Sequence, residues 1–139
     1  NAVNFPRALT NTNEIEFSFS GLKTSLLYYM DSFEPSNDCK LNDVASSYQQ
    51  AIIDSLLNKI NLAALKTNVN TITIAGGVAK NKILREKLKK DFSNYNIIFP
   101  DLKYCTDNAA MISFLGEIKL KLGSESSLNF GIYPNFKFI

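Results

Sequence analysis

The stretch TITIAGGVAKNKILREKLKKDFSNYNIIFP, residues 71–100, changes period twice in thirty positions. Thr71–Ile74 is a β-branched run and reads as a buried strand. Gly76 and Gly77 end it. From about Lys80 to Phe92 the spacing is helical, with Leu84, Leu88 and Phe92 on one face. Lys82, Arg85, Glu86, Lys89 and Lys90 occupy the other face. NIIFP is a second short strand, stopped by Pro100. Strand, helix and strand in this order predict an α/β domain with at least partly parallel pairing.

Upstream, Leu41 to about Leu65 predicts a long helix. Val44, Tyr48, Ile52, Leu56 and Ile60 form a stripe, and Ile53, Leu57 and Leu65 widen it, so much of this helix is expected to be buried. EPSNDCK, residues 34–40, is a loop. Before it, Leu22, Leu26, Tyr29, Met30 and Phe33 recur at helical spacing, with Ser20 as the expected cap. EIEFSFSG, residues 14–21, alternates strictly and predicts a half-buried strand with Ile15, Phe17 and Phe19 on one face. Downstream, a helix is expected from Asp107 to about Leu122, ended by Gly123. The aromatic tail NFGIYPNFKFI is expected to pack back on the domain. The predicted order is β-α-α-β-α-β-α.

The 139 residues fit one domain, 1–139, and 45% hydrophobic content suffices for a core. Asn1 and Ala2 read as a cloning remnant. Fifteen basic against 13 acidic residues leave a net charge of +2, which by itself does not argue for nucleic acid. No run approaches a membrane span, and no signal pattern stands at the N-terminus. Cys39 and Cys105 form no CxxC pair and read as free thiols of a reducing cytosol. With no histidine in the chain, histidine-based catalysis is excluded and the commonest metal ligand is missing.

Two turns carry candidate chemistry. In ITIAGGVAKN, residues 72–81, glycines after a strand let a ligand approach the backbone, and the next helix offers free N–H groups to an anion. Asn81 adds an amide with donor and acceptor for a base or ribose. A tight turn with no ligand is the plainer account. In YCTDN, residues 104–108, Asp107 opens an apolar helix. It is either a helix cap or one ligand of a metal. Ligands of open α/β sheets bind beyond the carboxyl ends of strands, which would set Asn81 and Asp107 at one crevice. The basic face of residues 80–92 is either a solvated surface or a contact for RNA phosphates.

Three blocks, FSFSGLKT (17–24), IAGGVAKNKILR (74–85) and YCTDNAAMI (104–112), together resemble the C-terminal half of the TsaD family, the tRNA adenosine threonylcarbamoyltransferases formerly called glycoproteases or O-sialoglycoprotein endopeptidases. FPRAL and ASSYQQAIIDSLLNK are similar to it as well. The resemblance implies the C-terminal lobe of an actin-like ATPase (RNase H-like) fold. It implies transfer of a threonylcarbamoyl group from threonylcarbamoyl-adenylate to the exocyclic amine of an adenosine beside the tRNA anticodon, in the cytoplasm.

By the same resemblance Asp107 matches the metal-ligand aspartate, Asn81 the nucleotide-contacting asparagine, and Gly76 and Gly77 the glycine turn on the adenosine side. The cofactor implied is one divalent metal, iron or zinc. The partners implied are tRNA, the adenylate, and TsaB-like and TsaE-like proteins, with no membrane. The family's HxxxH ligands and its N-terminal phosphate loop have no counterpart here. The chain is therefore expected to be a C-terminal fragment, inactive and free of metal when alone. A non-catalytic interaction module of the same fold is the alternative. The older metalloglycoprotease assignment finds no HExxH in this sequence.

Overall fold

A computed structural model of the chain describes residues 2–9, 12–129 and 131. The elements are α1 (Ser20–Asp31), α2 (Leu41–Thr67), β1 (Thr71–Thr73), α3 (Lys82–Asp91), β2 (Asn96–Ile98) and α4 (Ala109–Lys121). Single 3-10 turns cover Gly77–Lys80 and Leu102–Tyr104. β1 and β2 pair in parallel with Thr71 opposite Asn96, Ile72 opposite Ile97 and Thr73 opposite Ile98. The chain is thus a mixed α/β structure with a two-stranded parallel sheet, as residues 71–100 predict. It divides into two compact units, Asn1–Ile74 with Asn81–Phe99, and Ala75–Lys80 with Pro100–Ile139.

The first unit is organised by α2, which is 27 residues long. Its start is fixed by the Asp43 carboxylate, which accepts from the Lys40 N–H at 2.8 Å. It ends at Asn68, whose backbone is left-handed at φ 51°. One side packs Val44 and Ala51 with Phe5 and Leu22, and α1 supplies Leu26 and Tyr29 to that cluster. Phe5 meets the rings of Tyr29 and Tyr48 edge-on, at 5.7 and 5.4 Å. A second side packs Ile53 with Leu84, Leu88 and Phe92, and with Ile72 and Ile97 of the sheet.

Polar residues of α2 hold the N-terminal segment against it. Ser47 Oγ accepts from the Val3 N–H at 3.2 Å. Asp54 accepts from Arg7 Nη2 at 2.9 Å and from Gln50, and lies 3.5 Å from Lys87 Nζ. Lys59 donates to Thr12 and Glu14, and Lys66 to the Asn13 carbonyl. Partners at 3, 7, 12 and 13 meet α2 at 47, 54, 59 and 66, so the contacts of this strap advance along the helix in the direction of the chain, with a turn at Ala8 and Leu9 where Leu9 takes φ 57°.

Three expectations need correction. Residues 14–19 form no strand, and Ile15 and Phe17 are 45% and 50% exposed. Alternation sets which side chains share a face but supplies no partner, and an extended segment without one makes no ladder. Only Phe19 of the three reaches the core. Secondly, β1 is not buried on both faces: Thr71 and Thr73 are exposed while Ile72 is half-buried. Among the described residues it pairs only with β2, and its threonines lie on the exposed face of the sheet. Thirdly, Ser20 does not cap α1; Phe19 holds the cap position with no side-chain hydrogen bond, and Ser20 is the first helical residue. The tail expected to pack back, apart from Asn129 and Gly131, lies outside the described residues.

Leu88 is 0% exposed at the centre of the second cluster. Leu88→Ala is expected to cost about 2–5 kcal/mol in urea unfolding. For Asp54, burial pushes the carboxyl up, but hydrogen bonds from Arg7 and Gln50 and the charges of Lys87 and Arg7 outweigh it, so it sits below its ordinary value. Its contribution is present above the unfolded-state value of about 3.9 and is lost as pH falls through the lower folded value. Asp54→Asn should cost about 1 kcal/mol at neutral pH, since the pairs are partly exposed. That difference should shrink as unfolding is measured at pH values below about 4.

Candidate functional site

Two short connections carry the residues singled out by sequence. The first comes after β1. Ile74 still donates to the Ile98 carbonyl at 3.0 Å, so pairing continues to the edge of the turn. Gly76 then takes φ +91°, a conformation that a side chain disfavours. Its carbonyl accepts from the Ala79 N–H at 3.0 Å and closes the 3-10 turn. A Cβ on Gly76 would meet nothing within 4 Å, and one on Gly77 would meet only the Thr106 methyl at 3.9 Å. The turn therefore has an open, side-chain-free surface, and Gly77 lies beside Thr106, the neighbour of Asp107.

Asn81 is the N-cap of α3, with Oδ1 accepting from the Leu84 N–H at 3.0 Å. This half of its amide is spent on the helix. The Nδ2 donor has no partner among the described residues. α3 itself is amphipathic because Leu84 and Leu88 fall one turn apart on the packed face. Its basic face is partly engaged. Lys82 lies 3.8 Å from Glu86, Lys87 is bound to Asp54, and the Arg85 guanidinium sits 4.6 Å above the Phe99 ring. Lys89 and Lys90, in the last turn, have no ion-pair partner among the described residues.

The second connection leads to α4. Asp107 does not cap this helix. Asn108 does, with Oδ1 accepting from the Met111 N–H at 3.0 Å. A cap stands immediately before the first helical residue, here Ala109. The pair Asp107–Asn108 contains two good capping types, and the position next to the alanines is the signal that selects the second. Asp107 is exposed and has no hydrogen-bond or ion-pair partner among the described residues. Cys105, two residues earlier, is buried and turns its Sγ towards the Asp101 carbonyl at 3.6 Å.

Asp107, Gly76 and Gly77 thus belong to the second compact unit, and Asn81 to the first. Among the described residues no group of three or more histidine, cysteine, aspartate or glutamate side chains converges to hold a metal. The donor set around Asp107 is one carboxylate, whereas a metal site needs several protein ligands. The described residues therefore do not fit a metal by themselves.

Residues 1–114 match the family described as TsaD, tRNA N6-adenosine threonylcarbamoyltransferase. The chain belongs to that family. A TsaD-family protein of Thermosipho africanus named tRNA N6-adenosine threonylcarbamoyltransferase is 44% identical over 139 residues, covering 99% of this chain and 42% of the relative. One of the same name from Fervidobacterium nodosum is 43% identical over 140 residues, covering 98% and 42%. Another from Streptococcus mutans is 36% identical over 135 residues, covering 96% and 40%. The chain spans about two fifths of the length of these relatives. The stretches FSFSGLKT, IAGGVAKN and YCTDNAAMI all fall inside the matched range. Sequence reasoning passed over the roles of Asn108, Lys59 and Asp54, although all three lie inside the quoted stretches YCTDNAAMI and ASSYQQAIIDSLLNK.

Asn108→Ala is expected to cost about 1 kcal/mol, the usual loss of an N-cap. Asp107→Ala should stay within about 0.5 kcal/mol, as for a surface side chain without partners. Chemical denaturation of both variants separates the two roles; equal losses would make Asp107 a cap after all.

Proposed function

We propose that this chain forms part of a threonylcarbamoyltransferase with an actin-like fold, one that modifies the N6 amine of an adenosine next to a tRNA anticodon. The donor in this reading is threonylcarbamoyl-adenylate. The adenosine nitrogen attacks the carbamoyl carbon and the new C–N bond forms. The bond from that carbon to the phosphate oxygen breaks, AMP leaves with the electron pair, and the nitrogen loses a proton. The observation that carries the proposal is the family match together with the juxtaposition of the Gly77 turn and Thr106 beside a free Asp107.

Each residue has a defined task. Gly76 and Gly77 leave room for an adenosine against the backbone. The Asn81 Nδ2 donor serves a base nitrogen or a ribose hydroxyl, while its Oδ1 stays on the helix. Asp107, being neither a cap nor an ion-pair member, is available as an anionic metal ligand. The metal, iron or zinc in this reading, would supply Lewis-acid polarisation when bound. Its remaining ligands would be histidines, which this chain does not contain. The 139-residue chain alone is proposed to be inactive. TsaB-like and TsaE-like proteins and tRNA are the proposed partners, and the cytoplasm the proposed location. Among the described residues no helix is long and apolar enough to cross a membrane.

The test is Asp107→Asn in an intact enzyme that carries this chain. Thermal stability without metal should be unchanged, metal bound per protein should fall, and transfer to tRNA should drop steeply, by a hundredfold or more for a lost metal ligand. Wild-type transfer at ordinary metal concentration would instead remove Asp107 from the ligands of the metal. For the 139-residue chain alone, calorimetric titration with zinc should show no stoichiometric tight binding; a one-to-one isotherm would refute the single-ligand account.

A further inference from the structure

Lys59 lies in the middle of α2 and is 2% exposed, yet it has no ion-pair partner among the described residues. Its ammonium donates to three neutral oxygens: Glu14 O at 2.7 Å, Thr12 Oγ1 at 3.0 Å and Thr12 O at 3.3 Å. An ammonium has three donors, and all three are spent here. Burying a cation without a counter-ion is costly, so it persists only where its donors are fully satisfied. The lysine reaches the backbone of a segment that, among the described residues, is otherwise held here by exposed Lys66, which donates to Asn13 O, and by the Thr12 N–H and Oγ1, which both donate to Leu9 O.

Beyond Glu14 the backbone has no ladder. Residues 15–18 make no backbone hydrogen bond among the described residues, and the next one is the Lys23 N–H to Phe19 O, already inside α1. Ile15 and Phe17 stand half in solvent, with Phe17 stacked on Phe19 at 6.3 Å and 7°. The path of this stretch is therefore set by its two ends, Thr12–Glu14 on α2 and the start of α1.

We infer that Lys59 is a positioning residue, a buried cationic latch that sets the course of residues 12–19 and hence where Phe17 and Ser18 are presented. Unlike a packing residue, it acts on one segment and not on the core as a whole. The inference concerns this chain's own conformation and stands whether or not the transferase reading does.

Backbone ¹⁵N relaxation on the 139-residue chain tests it. In the parent, amides 13–18 should show order parameters near the rigid value of about 0.85. In Lys59→Met, which keeps the aliphatic length and removes the donors, those of 13–18 should fall below about 0.6, while those of α3 stay unchanged. Lys59→Arg should not restore them, because a planar fork cannot address three oxygens placed around one nitrogen. Rigid 13–18 amides in folded Lys59→Met would overturn the latch, and so would a loss spread evenly over α2 and α3. Thr12→Val removes the hydroxyl that accepts from Lys59 and donates to the Leu9 carbonyl, while the Thr12 N–H keeps its own bond to that carbonyl, and it covers the case in which Lys59→Met does not fold. It should loosen 13–18 to a smaller degree, and no change there would overturn the inference too.

Discussion

α2 has to bury two sides at once. Val44 and Ala51 serve one cluster and Ile53 another, and no other helix here reaches both. A 27-residue helix extends about 40 Å, far longer than α3 or either strand. Everything in the first unit is positioned by what α2 offers along that length. α1 is set by the first cluster, the sheet and α3 by the second, and the N-terminal strap by the polar side chains between them. Burial of α2 thus has a polar component as well as an apolar one. Asp54 and Lys59 are satisfied there by the strap, which is why such residues can sit in so apolar a helix.

This two-sidedness explains which parts of the fold were legible. The helices α2 and α3 were readable because their apolar residues repeat at 3.6 and their partners need not be known. Parallel pairing of Thr71–Thr73 with Asn96–Ile98 followed from the helix between them. The strand expected at 14–20 failed because a ladder requires a second backbone, and sequence alternation contains no information about one. The burial of β1 was overestimated because Thr71 and Thr73 were counted as β-branched and not as polar. Periods predict faces well; they predict neighbours poorly.

The site was legible to a different degree. The glycine turn sits where the pattern placed it, and Gly76 has the positive φ that justifies a glycine. Asn81 caps α3, a duty that its position immediately before Lys82 explains. The cap reading of Asp107 was removed by its neighbour: once Asn108 takes the cap, the carboxylate is left with no structural role among the described residues. A charged side chain with nothing to hold is the kind of feature that local propensity cannot foresee, because both acid and amide satisfy the same capping preference.

The strap along α2 also orders events during synthesis. Its contacts join residues 44 to 53 positions apart: Val3 to Ser47, Arg7 to Asp54, Thr12 to Lys59 and Asn13 to Lys66. A ribosome releases the strap about fifty residues before its anchors, so for several seconds at ordinary elongation rates the nascent segment has no place on α2 to dock. Closing such spans is entropically unfavourable until α2 is helical and its side chains point the right way. Docking of the strap is thereby tied to completion of a helix that the ribosome has yet to make, and a segment synthesised before α2 settles only after it.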